Sequence, residues 1–295
     1  MNIELFGKKI SLRTEYCKLY NFNIQPVLDP YINIFVRFKG CNAKCTFCEF
    51  ADTANHFNLD KFIEIIKEVK KQIFVKKVAF TGGEPTLNMK QFKEIVSKTR
   101  EILDKPSFVL NTNGINLKEV YTDDILPKYI NNISLSRHHY DDTINNKILG
   151  FNSISNQDLK SLQDSTDDKD LIHLSCNIIK GYIDSKEEVY KYLEFTNQIG
   201  IRSAGLVSLM PINQYCIDNF VDIAELDLKS KRFNITKETT YKDICRCKNY
   251  VYIPQSADDI VRVYYKNTYK PYDIVENIVF DGEYLRVGFS GDILF

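Results

Sequence analysis

Between about residues 30 and 210 the chain alternates short β-branched runs with amphipathic helical patterns, and that alternation restricts the fold more than any other feature. Tyr31-Ile32-Asn33-Ile34-Phe35-Val36 reads as a buried strand. Phe62, Ile65, Ile66, Val69 and Ile73 recur at three- and four-residue spacing, which is one apolar face of a helix. Val78-Ala79-Phe80 is the next strand, stopped by Gly82-Gly83. Phe92, Ile95, Val96, Ile102 and Leu103 mark a second amphipathic helix, with Pro106 beyond its end. Further strands are expected at 108–110, 133–135, 171–179 and 206–209, with helical patterns at 117–127, 156–163 and 186–199. Six strands, each but the last followed by a helix, imply an α/β fold with a parallel sheet. Parallel strands under covering helices close into full or partial barrels, whose ligands bind at the carboxyl ends of the strands.

After residue 235 the character changes to short strand-like runs at 250–253, 261–265, 278–280 and 284–287, with Asp281-Gly282 as a hairpin turn signal. The expected organisation is an N-terminal segment at 1–29, a core at 30–235 and a small β-rich C-terminal extension at 236–295. With 295 residues, 44% hydrophobic and 26% charged, the chain can bury a large core, and disorder or a fibrous repeat is excluded. Its 39 basic and 39 acidic side chains balance, which argues against a surface built to hold duplex nucleic acid. No apolar run approaches the roughly 18 residues of a membrane span. The opening residues lack the apolar core of a signal peptide. The expectation is a cytoplasmic protein without a membrane partner.

Eight cysteines in a reducing compartment need an explanation other than disulfides. Gly40-Cys41-Asn42-Ala43-Lys44-Cys45-Thr46-Phe47-Cys48 puts three thiols on one loop, spaced by three residues and then two. A cubane [4Fe–4S] cluster has four irons that take thiolate ligands, so three thiolates leave one iron open to a substrate or cofactor. Zinc and thiol redox chemistry are the competing readings. A structural zinc site would want a fourth Cys or His at a recognisable distance, and a lone redox pair leaves the third cysteine unexplained. A second motif, Thr81-Gly82-Gly83-Glu84-Pro85, follows the second strand, where glycines let backbone approach a ligand closely and the proline stiffens the turn.

The two motifs together resemble the radical S-adenosylmethionine (SAM) superfamily, whose signature is three cysteines so spaced with an aromatic residue before the last, here Phe47. The resemblance covers about residues 30–212 and is nearest in pattern to the molybdenum-cofactor GTP cyclase and to peptide-modifying members. It implies a partial (β/α)6 barrel holding a [4Fe–4S] cluster on Cys41, Cys45 and Cys48. It also implies a site for the methionyl part of SAM at Gly82, Gly83 and Glu84, with the backbone of the turn and Glu84 receiving the ammonium group, and places Phe47 beside the adenine. Ser134 and Met210 fall where the cyclase binds SAM, Asn177 is a candidate for the ribose, and Asn111-Thr112-Asn113-Gly114 matches the family's polar turn after the third strand. The implied chemistry is reductive cleavage of SAM to a 5′-deoxyadenosyl radical that abstracts hydrogen from a small molecule, a nucleotide or a peptide, with flavodoxin or ferredoxin as electron donor.

The departures narrow the substrate. Aligned on both motifs, Ile34 and Ala79 stand where the cyclase has GTP-binding arginines, and its C-terminal arginine-rich motif has no match, so GTP cyclisation is not expected. Cys216, Cys245 and Cys247 are candidates for a second, auxiliary cluster. Arg137, in the polar run from Arg137 to Asp142 after the fourth strand, is the candidate substrate contact. The alternative function is a non-catalytic iron–sulfur or zinc protein that binds RNA or a partner, and a thiol redox enzyme stands behind it.

Overall fold

The computed structural model describes residues 2–11, 31–49, 57–241, 245–255, 260–266, 277–288 and 291–295. It opens with a hairpin of β1 (Asn2–Leu5) and β2 (Lys8–Ser11), turned through Phe6 and Gly7, both at positive φ. The core then runs β3 (Tyr31–Phe38), α1 (Leu59–Gln72), β4 (Phe74–Gly82), α2 (Met89–Ile102), β5 (Ser107–Thr112), α3 (Leu117–Thr122) and α4 (Leu126–Tyr129). It continues with β6 (Asn132–Ser136), α5 (Asp142–Leu149), α6 (Asn156–Ser165), β7 (Ile172–Ile178), α7 (Lys186–Gln198), β8 (Ser203–Ser208) and α8 (Gln214–Asp218). Five further strands follow: β9 (Phe233–Tyr241), β10 (Cys245–Tyr252), β11 (Val261–Lys266), β12 (Asn277–Phe280) and β13 (Leu285–Val287).

Side-chain caps explain where the helices begin. Asn58, Asn88, Asp141, Ser155, Ser185 and Asn213 each accept a backbone N–H in the first turn of the helix they precede. Asp141 so starts α5, a helix the hydrophobic pattern did not announce because its few apolar positions leave little periodic signal.

The strands form one 11-stranded sheet in the order β13-β12-β3-β4-β5-β6-β7-β8-β11-β10-β9. Strands β3 to β8 pair in parallel in chain order, as a partial (β/α)6 barrel requires. One set of alternate residues, among them Ile34, Val36, Phe80, Phe108, Leu110, Ile133, Leu174 and Leu206, is fully or almost fully buried beneath the helices. Phe80 lies at its centre, edge-on to Phe92 and Phe108 with ring centroids 5.5 and 5.4 Å away. The opposite set is apolar at Phe35, Ala79 and Val109 but polar toward β7: Asn111, Ser134 and His173 are paired in register, and Ser136 with Ser175 in the next row. That polar face leads to the strand ends where the site forms.

The strands beyond residue 235 do not build a sheet of their own. Strand β12 pairs in parallel with β3, and β11 in parallel with β8, so the extension continues both edges of the core sheet. An open barrel has two bare edges, and parallel pairing satisfies their backbone groups. Asn33 Nδ2 donates to Asn277 Oδ1 at 3.0 Å across one of these seams. No helix among the described residues is long and apolar enough to cross a membrane.

Candidate functional site

The cysteine loop and the glycine turn meet backbone to backbone. Gly83 N donates to Phe38 O and Glu84 N to Gly40 O, each at 2.8 Å. A Cβ on Gly83 would lie 1.9 Å from Gly40 O, and one on Gly82, at φ +109°, would lie 2.4 Å from Phe38 O. No side chain fits at either position. The glycines expected to admit a ligand are also what lets the turn at the end of β4 seat against the loop at the end of β3.

Cys41, Cys45 and Cys48 are half-buried thiols without a disulfide. The loop is pinned to the end of α5 by Lys44 N donating to Leu149 O at 2.9 Å. Burial pushes the Cys41 thiol up. It carries Cys45 to about 12, with charges on Cys48 and Cys41 adding to the effect. Cys41 and Cys45 so held resist ionising, and a cationic metal group removes that resistance. Among the described residues, no three His, Cys, Asp or Glu side chains converge on a point where a single ion would sit. A cubane takes one thiolate per iron, so its ligands stand apart, and this donor set fits it. Beside the loop, Asn42 Nδ2 is buried with no hydrogen-bond partner among the described residues, a donor that a bound group would satisfy.

Glu84 is turned inward. It is 2% exposed. Its Oε1 accepts from Thr86 N at 2.9 Å, Thr86 Oγ1 at 2.6 Å and Thr112 Oγ1 at 2.8 Å, and its Oε2 from Asn113 N at 2.7 Å. A carboxylate offers about four lone-pair sites, two on each oxygen; three donors crowd Oε1, while Oε2 takes one and keeps a site. These bonds make Glu84 a brace between the glycine turn and the turn after β5. The physical reason is burial: a carboxylate shut away from water must be hydrogen-bonded, and the nearest donors belong to the protein.

Phe47 packs edge-on against His138, with centroids 5.0 Å apart, and joins a small cluster with Ile148, Ile179, Leu209 and Cys216. Burial, with the Arg137 charge second, holds the His138 pKa down at about 3. Its Nδ1 accepts from Asn177 N at 3.0 Å, which puts the proton of the neutral ring on Nε2.

A profile of the Radical SAM superfamily matches residues 35–195. The chain belongs to the radical SAM superfamily. Curated relatives include a protein named "Probable GTP 3′,8-cyclase" from Saccharolobus islandicus (strain Y.N.15.51 / Yellowstone #2), 25% identical over 206 residues that cover 68% of this chain and 65% of that protein. The GTP 3′,8-cyclase of Helicobacter pylori (strain HPAG1) is 35% identical over 99 residues, 32% of this chain and 30% of that one. This radical SAM chain thus spans about two thirds of the length of the first of these relatives. Among solved structures, Streptococcus suis SuiB bound to S-adenosylmethionine superposes with a TM-score of 0.48 at 16% identity, over 63% of this chain and 42% of SuiB.

The remaining candidates of this radical SAM chain divide. Ser134 and Asn177 are half-buried on the polar face of the sheet. Met210, just past β8, is 43% exposed. Arg137 is not at the surface of the site: it is 1% exposed. Its Nε donates to His139 O at 3.1 Å and its Nη1 to Ile154 O at 2.9 Å, while Nη2 bonds Asp142 and Asn156. The guanidinium that the sequence offered to a substrate is consumed in holding the loop before α5, because a buried charge must be paired. Cys216 is 1% exposed, and its Sγ donates to Phe47 O at 3.6 Å. It thus belongs to the wall of the cysteine loop. Cys245 and Cys247 lie on β10, with side chains outside the described set.

Two features escaped the sequence reading. The side chain of Asn113, inside a motif already noted, points back at the cysteine loop. His173 Nδ1 lies 2.7 Å from Ser203 Oγ on the polar face, over Gly205, whose added Cβ would meet His173 Nε2 at 2.7 Å. A lone histidine inside a strand pattern carries no signal that would single it out.

Proposed function

We propose that this protein is a radical SAM enzyme in which Cys41, Cys45 and Cys48 hold a [4Fe–4S] cluster and the Gly82-Gly83 turn receives the methionyl part of SAM. The observation that carries the reading is the backbone contact between the three-thiol loop and the glycine turn, which fixes a metal-binding and a ligand-binding element side by side. When bound, the cluster and SAM supply one-electron cleavage to methionine and a 5′-deoxyadenosyl radical that abstracts hydrogen from a substrate. Phe47 and the neutral ring of His138 form an apolar wall for the adenine, and Ser134, Asn177 and Met210 are the candidate contacts to the rest of the nucleoside. Glu84 holds the turn in shape, and with the turn's backbone it is the candidate contact to the ammonium group.

The substrate is a small molecule, a nucleotide or a peptide that meets the polar face carrying Asn111, Ser136, His173 and Ser175. Although relatives are named as GTP cyclases, GTP cyclisation is not proposed. Ile34 and Ala79, 0% and 2% exposed, occupy the positions of the cyclase arginines. A flavodoxin or ferredoxin would deliver the electron. A second cluster would draw on Cys216, Cys245 and Cys247.

Iron per chain after anaerobic reconstitution tests the reading, for the wild type and for the protein with all three loop cysteines changed to alanine. The wild type is expected to hold at least about four irons and to release 5′-deoxyadenosine from SAM on reduction, and the triple variant to do neither at this site. Wild-type protein with zinc but no iron and no affinity for SAM would instead establish the non-catalytic alternative. Iron left in the triple variant, about four per chain, would mark a second cluster.

A further inference from the structure

The turn after β5 makes a contact that the binding of cluster and SAM does not require. Asn113 is 7% exposed. Its Oδ1 accepts from Ile115 N at 3.1 Å, and its Nδ2 donates to Asn42 Oδ1 at 2.9 Å and to Cys41 Sγ at 3.7 Å. A backbone N–H can only donate, so Ile115 fixes which end of the amide is oxygen, and the NH2 group must face Cys41. The backbone of Asn113 is held as firmly, by its N–H to Glu84 Oε2, and Glu84 in turn bonds Gly40, the residue before Cys41. Cys41 Sγ also accepts from Ala43 N at 3.3 Å. The Cys45 sulfur meets the opposite environment: it lies 3.8 Å from a carbonyl, Leu149 O.

We propose that Asn113 is a positioning residue for the cluster: its side-chain amide hydrogen-bonds the Cys41 thiolate and raises the cluster's reduction potential. The inference rests on the assignment of Cys41, Cys45 and Cys48 to that cluster. Reduction adds negative charge that spreads over irons and sulfurs, and an N–H dipole aimed at a ligating sulfur stabilises the more negative state. Burial keeps water from competing for the bond or screening it. The second N–H of the same amide, on Asn42, prevents the group from swinging away.

Redox titration of the reconstituted protein, followed by the EPR signal of the reduced cluster, tests this with wild type, Asn113→Ala and Asn113→Asp. The aspartate keeps the acceptor for Ile115 N–H and nearly the same shape but replaces the donor with an oxygen. Both variants are expected to retain about four irons per chain and to titrate at more negative potential than wild type, aspartate further than alanine. A role confined to packing would lower the melting temperature and leave the potential alone. Wild-type potential in both variants at full iron content overturns the inference. So does loss of iron from both with the circular dichroism spectrum preserved, which would make Asn113 a brace for the loop. Wild-type protein without iron would bring down the cluster assignment and this inference with it, an outcome distinct from either of the others.

Discussion

Gly83 and Gly40 approach so closely that a single added carbon on Gly83 would stand 1.9 Å from Gly40 O. The contact couples two strand ends through their main chains, with no side chain between them to adjust. Whatever the cysteine loop binds, the glycine turn must move with it.

Gly83→Ala is therefore expected to force the two loops apart, at a cost of about 1–3 kcal/mol typical of overpacking, and to weaken SAM binding by at least about tenfold, the equivalent of 1.4 kcal/mol. Gly181→Ala is the control: it has φ +83° but nothing within 4 Å of the added carbon. It should cost about 1–2 kcal/mol of backbone strain and leave SAM affinity unchanged. Calorimetric titration with SAM and thermal melts distinguish the two. Equal SAM affinity in Gly83→Ala and wild type would refute the coupling.

Glu84→Gln keeps the size of the side chain but replaces one acceptor oxygen with a donor NH2. Of the groups that now reach the carboxylate, Asn113 N or the Thr86 and Thr112 donors must lose their acceptor. Urea unfolding should show a loss of about 3 kcal/mol, the scale of hydrogen bonds to a charged group. A stability within 0.5 kcal/mol of wild type, roughly the spread of surface substitutions, would show that the brace is not needed.

Arg137→Met strands the acceptors His139 O and Ile154 O together with Asp142 and Asn156. Leaving a buried carbonyl without its donor costs about 1–3 kcal/mol, while Asp142, whose side chain is 40% exposed, can turn to water. The folded fraction should bind SAM as wild type does. A variant of normal stability with impaired turnover would instead return Arg137 to the substrate.

Acid should destabilise the chain through its imidazoles, of which burial also holds His139 below its ordinary value. Burial, followed by the nearby Arg137 charge, holds His138 down at about 3, and burial, followed by Arg262, holds His173 at about 4, against an ordinary 6.5. Each ring binds its proton more weakly when folded, so its contribution is complete above pH 6.5 and is lost as pH falls toward those values. Urea midpoints should fall between pH 6.5 and about 4 with a slope of up to about 1.4 kcal/mol per pH unit for each site. His173→Asn should remove its own share of the slope. A flat profile over that range would mean that these rings titrate freely.

The barrel strands and the three cysteines were legible because each is local. Period-two and period-3.6 patterns lie within a dozen residues, and the thiols within eight. The bonds that Glu84, Arg137 and Cys216 make inside the fold were not legible, for one shared reason. A polar or nucleophilic side chain near a strand end looks the same in sequence whether it faces a ligand or bonds its own chain, and burial decides which. Asn113 was visible only as part of a turn, since its bond to Cys41 joins residues 72 positions apart. The pairing of β11 with β8 and of β12 with β3 left no trace in the pattern, because a short apolar strand does not name its neighbour.

That pairing also bears on how the chain comes to be folded during synthesis. Asn33 and Asn277 are 244 residues apart, yet they join across the seam that completes one edge of the sheet. The segment from β3 to β8 leaves the ribosome with both edges bare, and hydrogen-bonding partners for them arrive only with β11 and β12. Contacts of such long sequence separation form slowly, and unpaired parallel edges invite association with other chains in the interval. Production at low temperature, or with chaperones in excess, should therefore raise the soluble yield of this protein more than any change made within its core.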